Sequence, residues 1–334
     1  MATGETGETY ETMRRSIDVD PCGKAMLFPG TRFMSRILLA TLLAASPVIA
    51  RAADQPAPGV VTLVGDRLVE CVAGDLPVVV TVPHGGRLTP EGYARREKGV
   101  RDMDVNTQEL GRALAAELTR RTGGHAGMVI SLLHRSRLDP NREIVEAAGG
   151  HAPAEAVWRA FHGAIESALA AAVARHGFAF LIDLHGHAHP IARLELGYGL
   201  GAPQLNVDDA AFDRSEVIGI STLRDLHTAR GGGAAALLRG PRSIGALLAE
   251  RGFRAVPSPA EPGPGANPFF SGGYIVRRHA AEPATTKVDG LQIECPRPGV
   301  RDTAENHERF ARAATDALLV FLQEQYAWRP VRRS

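Results

Sequence analysis

Leu76-Pro-Val-Val-Val-Thr-Val-Pro83 is a continuous β-branched run stopped by a proline. A run without polar alternation suits a strand buried on both faces, as in a parallel sheet covered by helices on either side. Downstream, Asp104 to Arg121 carries Leu110, Leu114 and Leu118 at four-residue spacing and is followed by Gly123-Gly124, which predicts an amphipathic helix and its stop. Met128-Val-Ile-Ser-Leu-Leu133 reads as a second strand. Pro153 to Arg175, with Val157, Phe161, Ile165, Leu169 and Val173 on one face, reads as a second helix, and Phe178-Ala-Phe-Leu-Ile-Asp183 as a third strand. Strand, helix, strand, helix, strand is the order of an α/β fold with a mostly parallel sheet.

Farther along, Ser243 to Arg251 predicts a short helix, Gly290-Leu-Gln-Ile-Glu294 a late strand, and Glu305 to Gln325 a terminal helix with Phe310, Ala314, Leu318 and Phe321 inward. Pro257 to Gly273, rich in proline and glycine, predicts a long loop near the sheet edge. No internal repeat or composition break divides residues 53–334, so one catalytic domain is expected there. A formal net charge of +1 makes no electrostatic case for nucleic acid or an anionic membrane surface.

The N-terminal stretch has its own logic. Met34-Ser-Arg precedes the apolar run Ile37 to Ala50, and Arg51-Ala52-Ala53 follows. A basic start, a short apolar run and small residues at Ala50 and Ala52 predict a signal peptide over 34–52, with a periplasmic or secreted product. The run is too short for a lasting membrane span. Residues 1–33 are expected to be a non-structural upstream extension. Export would allow Cys71 and Cys295 to pair, with two free thiols an equal alternative. No Cys-x-x-Cys or finger-type Cys/His spacing supports a thiolate metal site.

In parallel α/β sheets, functional groups gather beyond the carboxyl ends of strands. His84 follows the first strand, and Arg135, Arg137, Asp139, Asn141 and Arg142 follow the second. Asp183, His185, His187 and His189 follow the third, and Glu294 ends the late one. Two imidazoles and a carboxylate can hold a metal with a position left open for water. His84 and His185 are the candidate imidazoles. Asp104 is the candidate carboxylate, with Asp102, Glu91 and Glu97 in competition, and it also suits a helix N-cap. Glu294 is left as the acid able to take a proton from water. Asp183 suits the carboxylate that orients a metal-bound His. His187 and His189 read as supporting or surface groups. Arg135-Ser-Arg-Leu-Asp-Pro-Asn-Arg142 has the fork donors and amide that carboxylate recognition requires.

Taken in order, Pro83-His-Gly-Gly86, Asp102-Met-Asp104, Arg135 to Arg142, Asp183-Leu-His185, Phe270-Ser-Gly-Gly-Tyr-Ile-Val-Arg-Arg-His279 and Gln292-Ile-Glu294 resemble the N-formylglutamate amidohydrolase family, itself distantly similar to zinc carboxypeptidases. The resemblance implies a three-layer α/β/α sandwich around a mixed sheet and one zinc ion on His84, Asp104 and His185. It implies Glu294 as base and proton shuttle, Arg135 as oxyanion stabiliser, and Asn141 and Arg142 as the grip on a substrate carboxylate. Gly272, Gly273 and Tyr274 would form a loop over the pocket, with Tyr274 touching substrate. Where such carboxypeptidases place an acidic ligand three residues after the first His, this chain has Arg87. The reaction implied is hydrolysis of the amide of an N-acyl amino acid. A carboxypeptidase-like peptidase, a hydrolase of cell-wall or poly-glutamate amides, and an exported anionic-solute-binding protein are the alternatives.

Overall fold

In the computed structural model, which describes residues 56–281 and 287–331, the run that ends at Pro83 forms a strand, Val78–Val82, with all five residues buried. It is β3 of eight, after β1 (Val61–Val64) and β2 (Val69–Val72). The others are β4 (Gly127–Ser131), β5 (Ala179–His187), β6 (Leu194–Gly197), β7 (Ala255–Val256) and β8 (Val288–Pro296). They form one sheet in the order β1-β2-β4-β3-β5-β8-β6-β7. The four central strands, β4, β3, β5 and β8, are parallel to one another. β2 pairs antiparallel with β4 on one flank, and β6 antiparallel with β8 on the other.

The helices are α1 (Thr107–Thr122), α2 (Ile144–Ala148), α3 (Ala152–His176), α4 (Ala202–Leu205) and α5 (Asp209–Arg214). They continue with α6 (Arg224–Arg230), α7 (Ala234–Arg239), α8 (Ile244–Ala249), α9 (Tyr274–Ala280) and α10 (Ala304–Tyr326). Successive β3 side chains point to opposite faces, and the core divides accordingly. Val78, Val80 and Val82 pack with Leu110, Leu114 and Leu118 of α1 and with Phe310 and Phe321 of α10. Val79 packs on the other face, with Val157, Phe161 and Ile165 of α3 and Ile275 of α9. Helices thus cover both faces, and the fold is the three-layer α/β/α sandwich. Each of the fully buried α1 leucines stabilises this arrangement by about 1.5–3 kcal/mol relative to an exposed one.

The expected strands and long helices are present, with two informative differences. The third strand runs four residues past Asp183, to His187, because its partner β8 keeps pairing as far as Pro296. α1 starts at Thr107 with Asn106 as its N-cap, so Asp104 is not the cap and its side chain is free for other work. β1, β2, β6 and β7 carry no long apolar run, and the small helices between Ala202 and Arg239 are too short for a periodic signal. Residues 258–273 hold no helix or strand, as the proline and glycine content predicts.

Cys71 and Cys295 are free thiols. They lie on β2 and β8, four strand steps apart, or about 19 Å at the usual interstrand spacing, beyond any disulfide. The expected extension 1–33 and signal segment 34–52, with Cys22, lie outside the described residues. Among the described residues, no helix is long and apolar enough to cross a membrane.

Asp289 of β8 ties two helices to the sheet: its carboxylate accepts hydrogen bonds from Leu226 N–H at 3.0 Å and Tyr326 O–H at 2.9 Å. Burial pushes its carboxyl up to about 6, above the roughly 3.9 of an unfolded chain. A raised acid favours the protonated fold, so its contribution is whole below pH 4 and is lost as pH rises through 6. Asp289→Asn is expected to remove a fall in stability of about 2–3 kcal/mol between pH 4 and 7. The check is the difference between wild-type and variant denaturation midpoints across that range.

Candidate active site

On the α3 side of the sheet, the rows beyond the apolar core turn polar. Thr81, Asp183, Gln292 and Gly197 form one row of register partners across β3, β5, β8 and β6. His185, Glu294 and Glu195 form the next row, across β5, β8 and β6. The opposite face of the same strand ends stays apolar, with Leu184 and Ile293 in the core. One face of one sheet edge therefore collects the chemistry. His84 reaches it from the loop after β3, and Asp104 from the turn before α1.

Three atoms converge. His84 Nδ1 is 3.0 Å from His185 Nδ1 and 3.3 Å from Asp104 Oδ2, and His185 Nδ1 is 3.5 Å from the same oxygen. The far side of each ring is held by a carboxylate. His84 Nε2–H donates to Asp139 Oδ1 at 2.6 Å, and His185 Nε2–H to Asp183 Oδ2 at 2.8 Å. Ionised carboxylates only accept, so each Nε2 carries a proton, and a neutral ring would turn its Nδ1 lone pair toward the other two atoms. Two lone pairs and a carboxylate oxygen facing one another in a buried site repel unless a cation lies among them. A tetrahedral ion with bonds of about 2.0–2.2 Å spaces its ligand atoms about 3.3–3.6 Å apart, close to all three edges here. The residues fit a divalent metal.

The electrostatics show that the three groups are coupled, with a proton shared between His185 and Asp104 favoured. Burial alone would raise the Asp104 carboxyl, but the His84 and His185 rings hold it well below the usual carboxylate range. Burial alone would lower the basicity of His185, but Asp183 and Asp104 push it well above the ordinary imidazole range. The other Asp104 oxygen is fixed by Arg135 Nη1 at 3.2 Å, and Arg135 Nε binds Asp139 Oδ2 at 3.1 Å. Arg135 thereby braces the Asp104 carboxylate and the carboxylate behind His84, with its Nη2 left unpaired among the described residues. Burial pushes the Glu294 carboxyl up to about 8; His185 opposes this, while Asp104, Glu195 and Asp183 add to it. Gln292 Nε2 donates to Glu294 Oε1 at 2.8 Å.

The other expected residues surround the same cavity. Asn141 is largely committed: its Oδ1 accepts Ile275 N–H at 2.8 Å, which pins the start of α9 over the site. A Cβ at Gly273 would lie 2.1 Å from Asn141 Nδ2, so only glycine allows that approach. Arg142 stands half-buried at the rim, with Nη1 on Asn141 O at 2.7 Å and Nε on Glu146 at 3.1 Å. Tyr274 lines the cavity while its ring lies against Trp158 and His162. Asp102 is exposed at the cavity, and Glu91 and Glu97 are exposed, so it is Asp104 that joins the two imidazoles.

Two acids have roles that their positions in the sequence do not show. Asp139 was visible only as one of several polar residues after β4; its pairing with His84 depends on the turn in which Asn141 N–H donates to its Oδ1 at 3.1 Å. Glu195 sits on a strand too short to predict and is completely buried.

The α/β fold and its polar cluster accord with a hydrolase of the amidohydrolase type, the class that the family match supports. The N-formylglutamate amidohydrolase family model matches residues 144–301, so the resemblance drawn from the motifs is upheld. That span includes His185, Tyr274 and Glu294, whereas His84, Asp104 and Arg142 lie before it. No curated protein matches the chain in sequence. Among solved structures, it is similar to an N-formylglutamate amidohydrolase from Ralstonia eutropha JMP134, with 14% identity, a TM-score of 0.49, and coverage of 78% of this chain and 98% of that one. A gene product of Agrobacterium tumefaciens is 15% identical, with a TM-score of 0.43 and coverage of 75% and 93%. A metallopeptidase candidate from Shewanella amazonensis SB2B is 10% identical, with a TM-score of 0.32 and coverage of 77% and 81%. Likeness at this level assigns no residue a role.

Asp139→Asn keeps all three convergent atoms but removes the fixed acceptor behind His84. It is expected to weaken retention of a divalent metal about 10–100-fold. Competition with a chelator measures this, and unchanged retention would remove Asp139 from the site.

Proposed function

We propose that the chain is a zinc-dependent amidohydrolase that cleaves the amide bond of an N-acyl amino acid. The observation that carries this reading is the triangle of His84 Nδ1, His185 Nδ1 and Asp104 Oδ2, with Glu294 the register partner of His185. When bound, zinc would supply Lewis acidity, bringing the pKa of a water toward neutrality and polarising the scissile carbonyl.

The chain's own groups divide the remaining work. Glu294 accepts the proton of the attacking water and returns it to the nitrogen of the leaving amine, so the base is restored at the end of the turnover. Its raised affinity for protons suits the second of these transfers, and a nearby dication would favour the first. Arg135 Nη2 is available to the oxygen that gains charge as the carbonyl becomes tetrahedral. Arg142, at the rim beyond β4, provides a fork donor for the free carboxylate of the substrate. Asn141 contributes by holding the Gly273–Ile275 backbone in place. The signal segment read over 34–52 supports an exported enzyme, acting outside the cytoplasm on small molecules.

Glu294→Gln should retain metal while lowering turnover by about 100-fold or more; an undiminished rate would reject its role as base. Arg142→Ala should raise KM for substrates with a free carboxylate and leave kcat nearly unchanged. Equal losses on matched amides without the carboxylate would show that Arg142 is not the anchor.

A further inference from the structure

The order of strands gives the cavity a direction. Arg142 follows β4, His84 and His185 stand at the ends of β3 and β5, Glu294 lies near the end of β8, and Glu195 lies on β6. A substrate whose amine half is anchored at Arg142 therefore extends its acyl half past the convergent triangle toward β6. This orientation rests on the amide hydrolysis proposed above.

The wall at that end is built with care. Glu195, wholly buried, accepts a hydrogen bond on each oxygen, from His189 Nδ1–H at 2.9 Å and from Phe270 N–H at 2.8 Å. The two residues so fixed stack face to face, with ring centroids 4.5 Å apart and planes 12° from parallel. Both line the cavity, and Phe270 is 43% exposed. His189 Nε2 has no partner among the described residues. His187, His189 and Glu195 lie close enough together to suggest a second metal group. However, both His187 nitrogens are engaged, by Arg193 O at 2.9 Å and His189 N–H at 3.1 Å, so a metal there would have to break existing bonds. The cavity measures about 1160 Å³, more than the roughly 300–1,000 Å³ typical of small-molecule sites. A formyl group, with one carbon, would leave this end untouched.

We infer that His189 and Phe270 form an acyl subsite, and that the substrates are N-acyl amino acids whose acyl group carries a planar aromatic ring. A buried carboxylate fixes the imidazole and the Phe270 backbone, and the stacked pair, with its phenyl ring exposed, presents a flat aromatic face on which another ring can stack. The fixed geometry spares the ordering cost of binding.

The test compares the zinc-loaded full chain on N-formyl, N-acetyl, N-benzoyl and N-phenylacetyl derivatives of glutamate, aspartate and alanine, following amine release. The aromatic acyl substrates should exceed the N-formyl ones at least about tenfold in kcat/KM. Phe270→Ala should bring that ratio toward one, as should Phe270→Leu, which keeps apolar bulk without the ring. N-formyl substrates cleaved as well as the aromatic ones, or variants that lower both classes alike, would overturn the subsite. Release of amine from none of the amides by metal-loaded protein would instead overturn the hydrolase reading beneath it.

Discussion

Two imidazole nitrogens and a carboxylate oxygen crowd together in a place that water hardly reaches, and much of the molecule is arranged around that crowding. His84 and His185 could relieve it by turning a protonated nitrogen inward, but Asp139 and Asp183 hold those protons on the far sides of the rings. Asp104 cannot swing away, because Arg135 and Gly186 N–H each hold one of its oxygens. Thr81 O–H donates to the remaining oxygen of Asp183 at 2.7 Å. Every group that would let the three atoms separate is itself restrained. A positive charge shared among the three atoms, whether a proton or a metal ion, holds them together.

Keeping such a cluster buried is costly, since carboxylates removed from water need compensating donors or charges. The sheet limits the damage by confining the cluster to one face. In β5, Phe180, Ile182 and Leu184 point to the α1 and α10 side and stay in the core, while Asp183, His185 and His187 point the other way. Period-two alternation thus lets one strand anchor the hydrophobic layer and carry the chemistry. The apolar inner faces of α1 and α10 on the far side supply the rigidity that holds the three facing atoms to within a few tenths of an ångström of a coordination geometry.

A second constraint closes the cavity. Gln292 links the sheet to the loop before α9, accepting Gly273 N–H at 2.6 Å while its amide donates to Glu294. Asn141 meets the same loop from the β4 side. The glycine at 273 exists for this close approach, and Phe270 is carried into the wall by the same backbone. His162 supports the arrangement from below, donating to Pro140 O at 3.0 Å, with its other nitrogen 2.9 Å from His279 Nε2. Burial keeps both of these imidazoles below their ordinary basicity, at about 4 and about 3. This neutral pair steadies the turn that presents Asn141 and Arg142.

Residue types and their spacing are enough to specify the alternating core of the α/β fold, because unbroken β-branched runs and four-residue leucine spacing express burial directly. They also mark His84, His185 and Glu294, since polar groups at the ends of apolar strands stand out against their surroundings. Short edge strands such as β6 leave no comparable trace, and Glu195 was hidden with it. Tertiary packing made the remaining choices: Asp104 over Asp102, free thiols over a Cys71–Cys295 bridge, Asp139 behind His84, and Asn141 turned toward the α9 loop. Each of these depends on which strands become neighbours and how far β5 continues alongside β8, and contacts between residues tens of positions apart have no local pattern in the chain.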